Sequence, residues 1–132
     1  MEWIELFNPT PRSVDIGRWK FVDSRYGRTV SIPAGTAIAA GDYYVLVWTN
    51  ASLVNSYPLK ITLLNSAGLV VDSTAEKINA ASDDHCWARY PNGKDLGVDT
   101  DWQFQTSTKG LSNGGGAYDI FAGESFDLQF SL

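Results

Sequence analysis

Four consecutive residues, Asp83-Asp84-His85-Cys86, place two carboxylates, an imidazole and a thiol next to one another. Protein metal sites usually space such ligands two to four residues apart and add a distant second pair. The chain has one histidine and one cysteine, so it cannot supply a second pair of that kind. Neighbours on a strand point to opposite faces, which argues against His85 as the base for a Cys86 nucleophile. We interpret the string as a solvated loop leading to a buried cysteine.

A second oxygen-rich segment contains Asp95, Asp99 and Asp101, close to Asn92 and Gly93. Loops of this composition can bind calcium, and Asp99-x-Asp101 forms the centre of the candidate. The order of acids in an EF-hand loop is not met. A glycosidase needs two carboxyl groups held across a cleft, which the sequence does not indicate. We therefore expect no catalytic residues and no cofactor, with calcium at these three aspartates as the weaker alternative.

Five tryptophans are many for a chain of this length, and exposed aromatic rings can stack on sugars or unstacked bases. Trp19 lies in the run Val14 to Val22 and Trp87 in the run Cys86 to Tyr90, and both runs indicate core strands. Trp3, Trp48 and Trp102 stand at the beginnings or ends of predicted strands, where exposure is expected. These three are the candidates for stacking on a ligand.

These candidates belong to a chain of 132 residues in which 44% are hydrophobic, 13% aromatic and 19% charged. That length gives one domain, and the supply of turn residues and aromatics favours an all-β fold. The net charge is −5, and the densest basic stretch, Arg25 to Arg28, holds two arginines. We therefore expect neither nucleic acid nor anionic lipid as a partner. No apolar run approaches the roughly 20 residues that membrane insertion requires.

Turn signals recur along the chain at the spacing of a β-sandwich. The clearest hairpin joins Lys60–Leu64 to Leu69–Ser73 through the turn Asn65–Gly68. The last segment, Phe126 to Leu132, alternates apolar and polar residues without a fault. That alternation predicts a strand with one buried face, made by Phe126, Leu128, Phe130 and Leu132. We expect this strand to pair with a sheet edge, either in its own chain or in a partner, so that the four side chains become buried.

Several separated blocks of this sequence occur in the order found in one known family. The blocks are Glu2-Trp3-Ile4-Glu5-Leu6-Phe7-Asn8-Pro9-Thr10, Val14-Asp15-Ile16 with Trp19, Ile32-Pro33-Ala34-Gly35-Thr36, Ala40-Gly41-Asp42-Tyr43-Tyr44-Val45-Leu46, Leu69-Val70-Val71-Asp72-Ser73, Trp87-Ala88-Arg89-Tyr90-Pro91-Asn92-Gly93, and Trp102 to Gly110. Together they resemble the lamin tail domain in its prokaryotic form, over Glu2 to about Asn113. The resemblance implies a single immunoglobulin-like β-sandwich domain of the lamin-tail type, without catalytic residues.

Two departures from that family pattern bear on domain organisation. The family usually has a strand before the Glu-Trp-Ile-Glu-Leu block, whereas this sequence opens with Met1 at the block itself. The family also normally ends near Lys109-Gly110, whereas a glycine-rich hinge and an amphipathic strand follow here. We predict a sandwich over residues 1–113, with residues 114–132 either completing it or starting a following domain. If the last strand exchanges between copies, the result is a homodimer.

The leading functional expectation is a non-catalytic module for protein interaction or self-association through a sheet edge. The alternative is a carbohydrate-binding or calcium-dependent adhesion domain, and the third is an accessory domain of a nuclease or other hydrolase. The resemblance implies a secreted or surface location within a longer chain, with the cytoplasm as the alternative. Asn50-Ala51-Ser52 matches the N-glycosylation acceptor motif in a predicted surface loop.

Overall fold

A computed structural model describes residues 3–48, 57–78 and 84–114, together with the backbone of 127–131. The described residues form strands joined by turns and one short 3-10 helix, Asp99–Asp101. The first six strands are β1 (Trp3–Phe7), β2 (Val14–Asp15), β3 (Lys20–Asp23), β4 (Thr29–Ser31), β5 (Ala37–Ile38) and β6 (Tyr43–Val47). The other five are β7 (Ile61–Leu64), β8 (Val70–Ser73), β9 (His85–Arg89), β10 (Trp102–Thr106) and β11 (Asp127–Ser131). Within these ranges, no helix has the length and apolar character needed to cross a membrane.

The strands form two main antiparallel sheets and one two-stranded ladder. The larger sheet has five strands in the order β10-β9-β11-β1-β6, and the second has four in the order β4-β3-β7-β8. β2 pairs with β5 in the small ladder. This architecture confirms the predicted all-β sandwich.

β11 occupies a central position in the five-stranded sheet. It runs antiparallel to β1, with Trp3 opposite Ser131 and Phe7 opposite Asp127. On its other side Phe130 is opposite Trp87 of β9. The last strand therefore joins the two halves of this sheet within one chain. Phe126 and Leu132 and the side chains of Leu128 and Phe130 lie outside the described part, and the division of the chain at residue 113 stays a prediction.

The core lies between the two main sheets. Ile4 and Leu6 of β1 are fully buried, as are Phe21 of β3 and Ile61 and Leu63 of β7. These side chains belong to one hydrophobic cluster, which also includes Ile16, Ile32, Ile38, Trp48, Leu59 and Trp102. Alternation along each strand directs every second side chain to this interior.

Local sequence signals account for the turn between β7 and β8. In the predicted hairpin, Asn65 accepts hydrogen bonds from the N–H groups of Ala67 and Leu69 through its side-chain oxygen, and Gly68 has a φ of +81°. The run Val14 to Val22 is not continuous, because a turn separates β2 from β3 and places Arg18 at a φ of 66°. Trp19 therefore precedes β3 and is only half-buried. Asn50-Ala51-Ser52 lies outside the described residues.

Candidate functional site

The edges of the two main sheets differ in how well they are protected against further strand pairing. Natural edge strands are shortened, charged or interrupted by bulges. β4 has three residues, and β8 contains Asp72 and pairs irregularly with β7. β10 alternates its aromatic residues with Gln103 and Gln105. β6 has the sequence Tyr-Tyr-Val-Leu-Val. Like β10 it has no charge and no proline, but it also has no glutamine or threonine, so it is the most hydrophobic edge.

β6 pairs with β1 alone among the described strands. The N–H of Asn8 donates to the carbonyl of Asp42, which extends the β1–β6 ladder by one residue. Because hydrogen-bonded pairs alternate along an antiparallel ladder, the backbone groups of Val45 and Val47 point away from β1. All five β6 side chains are half-buried, and Tyr43 stacks on Phe7 with ring centroids 5.0 Å apart. The strand is held firmly by its side chains, while its outer backbone groups have the geometry for a further strand.

A cleft of about 470 Å³ opens between β8 and the loop that precedes β10. Arg89 lies at its base and makes two hydrogen bonds to Asp72, at 2.7 and 2.9 Å. Asp95 lies 3.4 Å from the same guanidinium group, whose centre is 4.9 Å from the ring of Trp102. Burial raises the pKa of Asp72, and the hydrogen bonds and charge of Arg89 oppose that rise. This buried ion pair connects the four-stranded sheet to the five-stranded sheet.

The three aspartates proposed for calcium all have partners within the protein. Asp95 faces Arg89, and Asp99 receives a hydrogen bond of 2.6 Å from Lys77. One oxygen of Asp101 accepts the N–H groups of Leu96 and Val98, and the other lies 3.6 Å from Lys94. Across the described ranges, no three Asp, Glu, His or Cys residues are grouped to hold a metal ion. Calcium binding at these residues stays a prediction that the contacts do not favour.

The expected exposure of three tryptophans is wrong. Trp3 is 6%, Trp48 is 3% and Trp102 is 8% exposed. Lys109 covers the ring of Trp3, Arg89 covers that of Trp102, and Trp48 belongs to the main core. Position at a strand end does not expose a ring when a loop folds over it. None of the three offers a free face for stacking on a sugar.

The Lamin Tail Domain family profile matches residues 1–84, which is more than half of the chain. The chain belongs to the lamin tail domain family. No curated protein matches it, and no solved structure matches it. The predicted family is thus confirmed, while the resemblance from residue 85 to Asn113 stays a prediction.

Lamin tail domains are immunoglobulin-like and generally serve as non-catalytic interaction modules. In this lamin tail domain Cys86 is a free cysteine with no exposed surface, and burial raises the pKa of its thiol to about 11. A thiol that stays protonated at neutral pH is a poor nucleophile. Its neighbour His85 stacks on Phe104 at 5.4 Å. The buried-cysteine interpretation is confirmed, whereas the expected loop does not include His85 and Cys86, which lie in β9. Asp83 lies outside the described residues.

Glu5 is a buried carboxylate in this lamin tail domain that sequence patterning did not single out. It lies in the middle of β1 with no exposed surface, on the face away from Ile4 and Leu6. Burial raises its pKa to about 7, against the opposing effects of a hydrogen bond from the N–H of Gly110 and the charge of Lys109. The burial of Glu5 follows from its strand: all five residues of β1 are buried, so both faces of the strand are covered.

Proposed function

We propose that this lamin tail domain is a non-catalytic self-association module, and that a second copy adds its β6 strand to the exposed edge at β6. The carrying observation is that β6 is a regular, uncharged five-residue strand whose outer side faces no other described strand. Strand addition gains affinity from main-chain hydrogen bonds and selectivity from alternate side chains.

The composition of β6 supports a second copy as the partner. In an antiparallel pair centred on Val45, Tyr43 of one copy lies opposite Val47 of the other, and Tyr44 lies opposite Leu46. No like charges face one another in that pairing, so the net charge of −5 does not oppose it at the contact itself. Aromatic and β-branched pairs of this kind stabilise sheets.

The test measures mass against concentration by sedimentation equilibrium, from about 5 to 500 µM, a span that brackets weak interactions. We expect a dimer that dissociates on dilution, together with slower amide exchange at Val45 and Val47 in the dimer. Val45→Pro removes an outward N–H while leaving the ladder with β1 intact, so the variant should remain folded and monomeric. Ser31→Pro, in edge strand β4, is the matched control, because it also removes an N–H that points away from the neighbouring strand; this variant should still dimerise.

A wild-type chain that stays monomeric throughout this range, with unchanged exchange at Val45 and Val47, contradicts the proposal. A dimer that survives Val45→Pro also contradicts it, because another surface must then carry the contact. A secreted or surface location within a longer protein, as the family resemblance implies, stays a prediction. No contact within the described part of the chain favours the adhesion or hydrolase-accessory alternatives.

A further inference from the structure

A basic and aromatic surface covers the turn between β3 and β4 in this otherwise acidic chain. Arg25, Tyr26, Arg28 and Tyr57 form it, and we name it the arginine–tyrosine surface. Tyr26 is 57% exposed and Tyr57 is 48% exposed. Large aromatic rings that stay in water beside cations are features of interaction surfaces. The surface belongs to the end of the four-stranded sheet, and therefore to a different sheet from β6.

The arginines of this surface are held in place by the tyrosine rings. The guanidinium centre of Arg25 lies 4.1 Å from the ring centroid of Tyr57 and 5.8 Å from that of Tyr26. The guanidinium centre of Arg28 lies 4.4 Å from the ring of Tyr26. Stacking covers the flat face of a guanidinium group and leaves its N–H edge for a planar acceptor. A side chain ordered in advance loses less entropy on binding.

The acid nearest in sequence does not occupy the side chain of Arg25. Asp23 is 3% exposed, and its two carboxylate oxygens accept hydrogen bonds from the backbone N–H groups of Tyr26 and Arg28, at 2.6 and 3.2 Å. Those bonds shape the turn that carries the surface. Among the described residues, Arg25 makes ring contacts but neither a hydrogen bond nor an ion pair. Its N–H groups are therefore available to a ligand.

We propose that the arginine–tyrosine surface binds an acidic segment of a partner protein. A carboxylate of that segment takes the N–H edge of Arg25 in a bidentate pair, and the exposed tyrosines pack against the neighbouring side chains. Two neighbouring arginines suit a short acidic segment better than nucleic acid, because phosphate binding depends on many cations acting together. The interaction goes beyond self-association at β6 and does not require it.

The test uses a fluorescein-labelled octaglutamate peptide as the probe and fluorescence anisotropy as the measurement. Arg25→Gln should weaken binding about tenfold, the loss of one charge-assisted contact. Arg12→Gln is the matched control, because it removes the same charge from an exposed arginine without a ring contact; it should change affinity less than about twofold. Tyr57→Leu keeps every charge and should weaken binding about threefold, because the stacked arginine is released.

Equal effects of Arg25→Gln and Arg12→Gln would overturn the proposal, since the peptide would then respond only to overall charge. No binding of octaglutamate at millimolar concentration would also overturn it. Tighter binding of an eight-nucleotide oligothymidylate than of octaglutamate would assign the surface to nucleic acid instead. The same titration of the Val45→Pro chain should give unchanged affinity, which keeps this result separate from the β6 proposal.

Discussion

The buried carboxyl group of Glu5 should make the stability of this domain depend on pH in a direction unusual for a glutamate. In the unfolded chain the group has its ordinary pKa of 4.5, whereas in the folded chain burial raises the pKa to about 7. Between these two values the folded chain keeps a proton that the unfolded chain has lost. Stability therefore falls as pH rises through this window, and the loss is complete above about pH 7.

The size of the effect follows from the two pKa values of Glu5. Each pKa unit corresponds to 1.36 kcal/mol, so a rise from 4.5 to about 7 amounts to about 3 kcal/mol. Because Glu5 has no exposed surface, solvent does not screen this value at the carboxylate itself. Glu5→Gln has nearly the same shape, still accepts the N–H of Gly110, and carries no charge at any pH. It should equal the wild type near pH 4 and exceed it by up to about 3 kcal/mol at pH 8.

The assay is urea denaturation of the wild type and Glu5→Gln at several values between about pH 4 and 8, where the free energy of unfolding comes from linear extrapolation. Glu76→Gln is the matched control, because it makes the same substitution at an exposed side chain. Other titrating groups, including Asp72, affect all three proteins alike, so differences between their profiles isolate Glu5. Parallel profiles for the wild type and Glu5→Gln would refute the reasoning, as would a wild type that gains on the variant with rising pH.

Three further predictions concern the core and the cleft. Arg89→Met leaves Asp72 buried without its partner and should cost about 3–5 kcal/mol in urea denaturation, whereas adding Asp72→Leu should recover most of that loss. Deleting residues 114–132 removes the strand between β1 and β9 and should lower the melting temperature markedly; unchanged melting and mass would count against this. Calcium at about 5 mM should leave the melting temperature unchanged, because we expect no binding at the three aspartates. A ligand that binds the folded state raises the melting temperature, so a rise of several degrees would instead support the calcium site.

Sequence patterns predicted the local features of this fold well. The hairpin turn at Asn65 and Gly68 depends on interactions within a few residues, and the structure contains it. Alternation also predicted the strand within Phe126 to Leu132, where the structure has β11. The sequence did not predict the turn that separates β2 from β3. The extent of β2 is set by its pairing with β5, in which Val14 lies opposite the distant residue Ile38.

The features that sequence could not supply depend on contacts between distant residues. Trp3 looked exposed at a strand end, but Lys109 lies over its ring. Glu5 looked like the polar side of an alternating strand, yet the N–H of Gly110 meets it there. Arg89 and Asp72 lie on different sheets, and no local sequence pattern predicts that they form an ion pair. The basic stretch Arg25 to Arg28 is apparent in the sequence, whereas the contact of Arg25 with the ring of Tyr57 depends on the fold.

The central place of β11 has a consequence for how the chain reaches its folded state. Trp3 pairs with Ser131, so the two partners are separated by more than 120 residues of sequence. While the last strand is still inside the ribosome, β1 has only β6 beside it, and β9 has only β10. Pairings of such long sequence separation form slowly, because most of the chain must be closed into a loop first. Completion of the larger sheet must therefore await synthesis of β11.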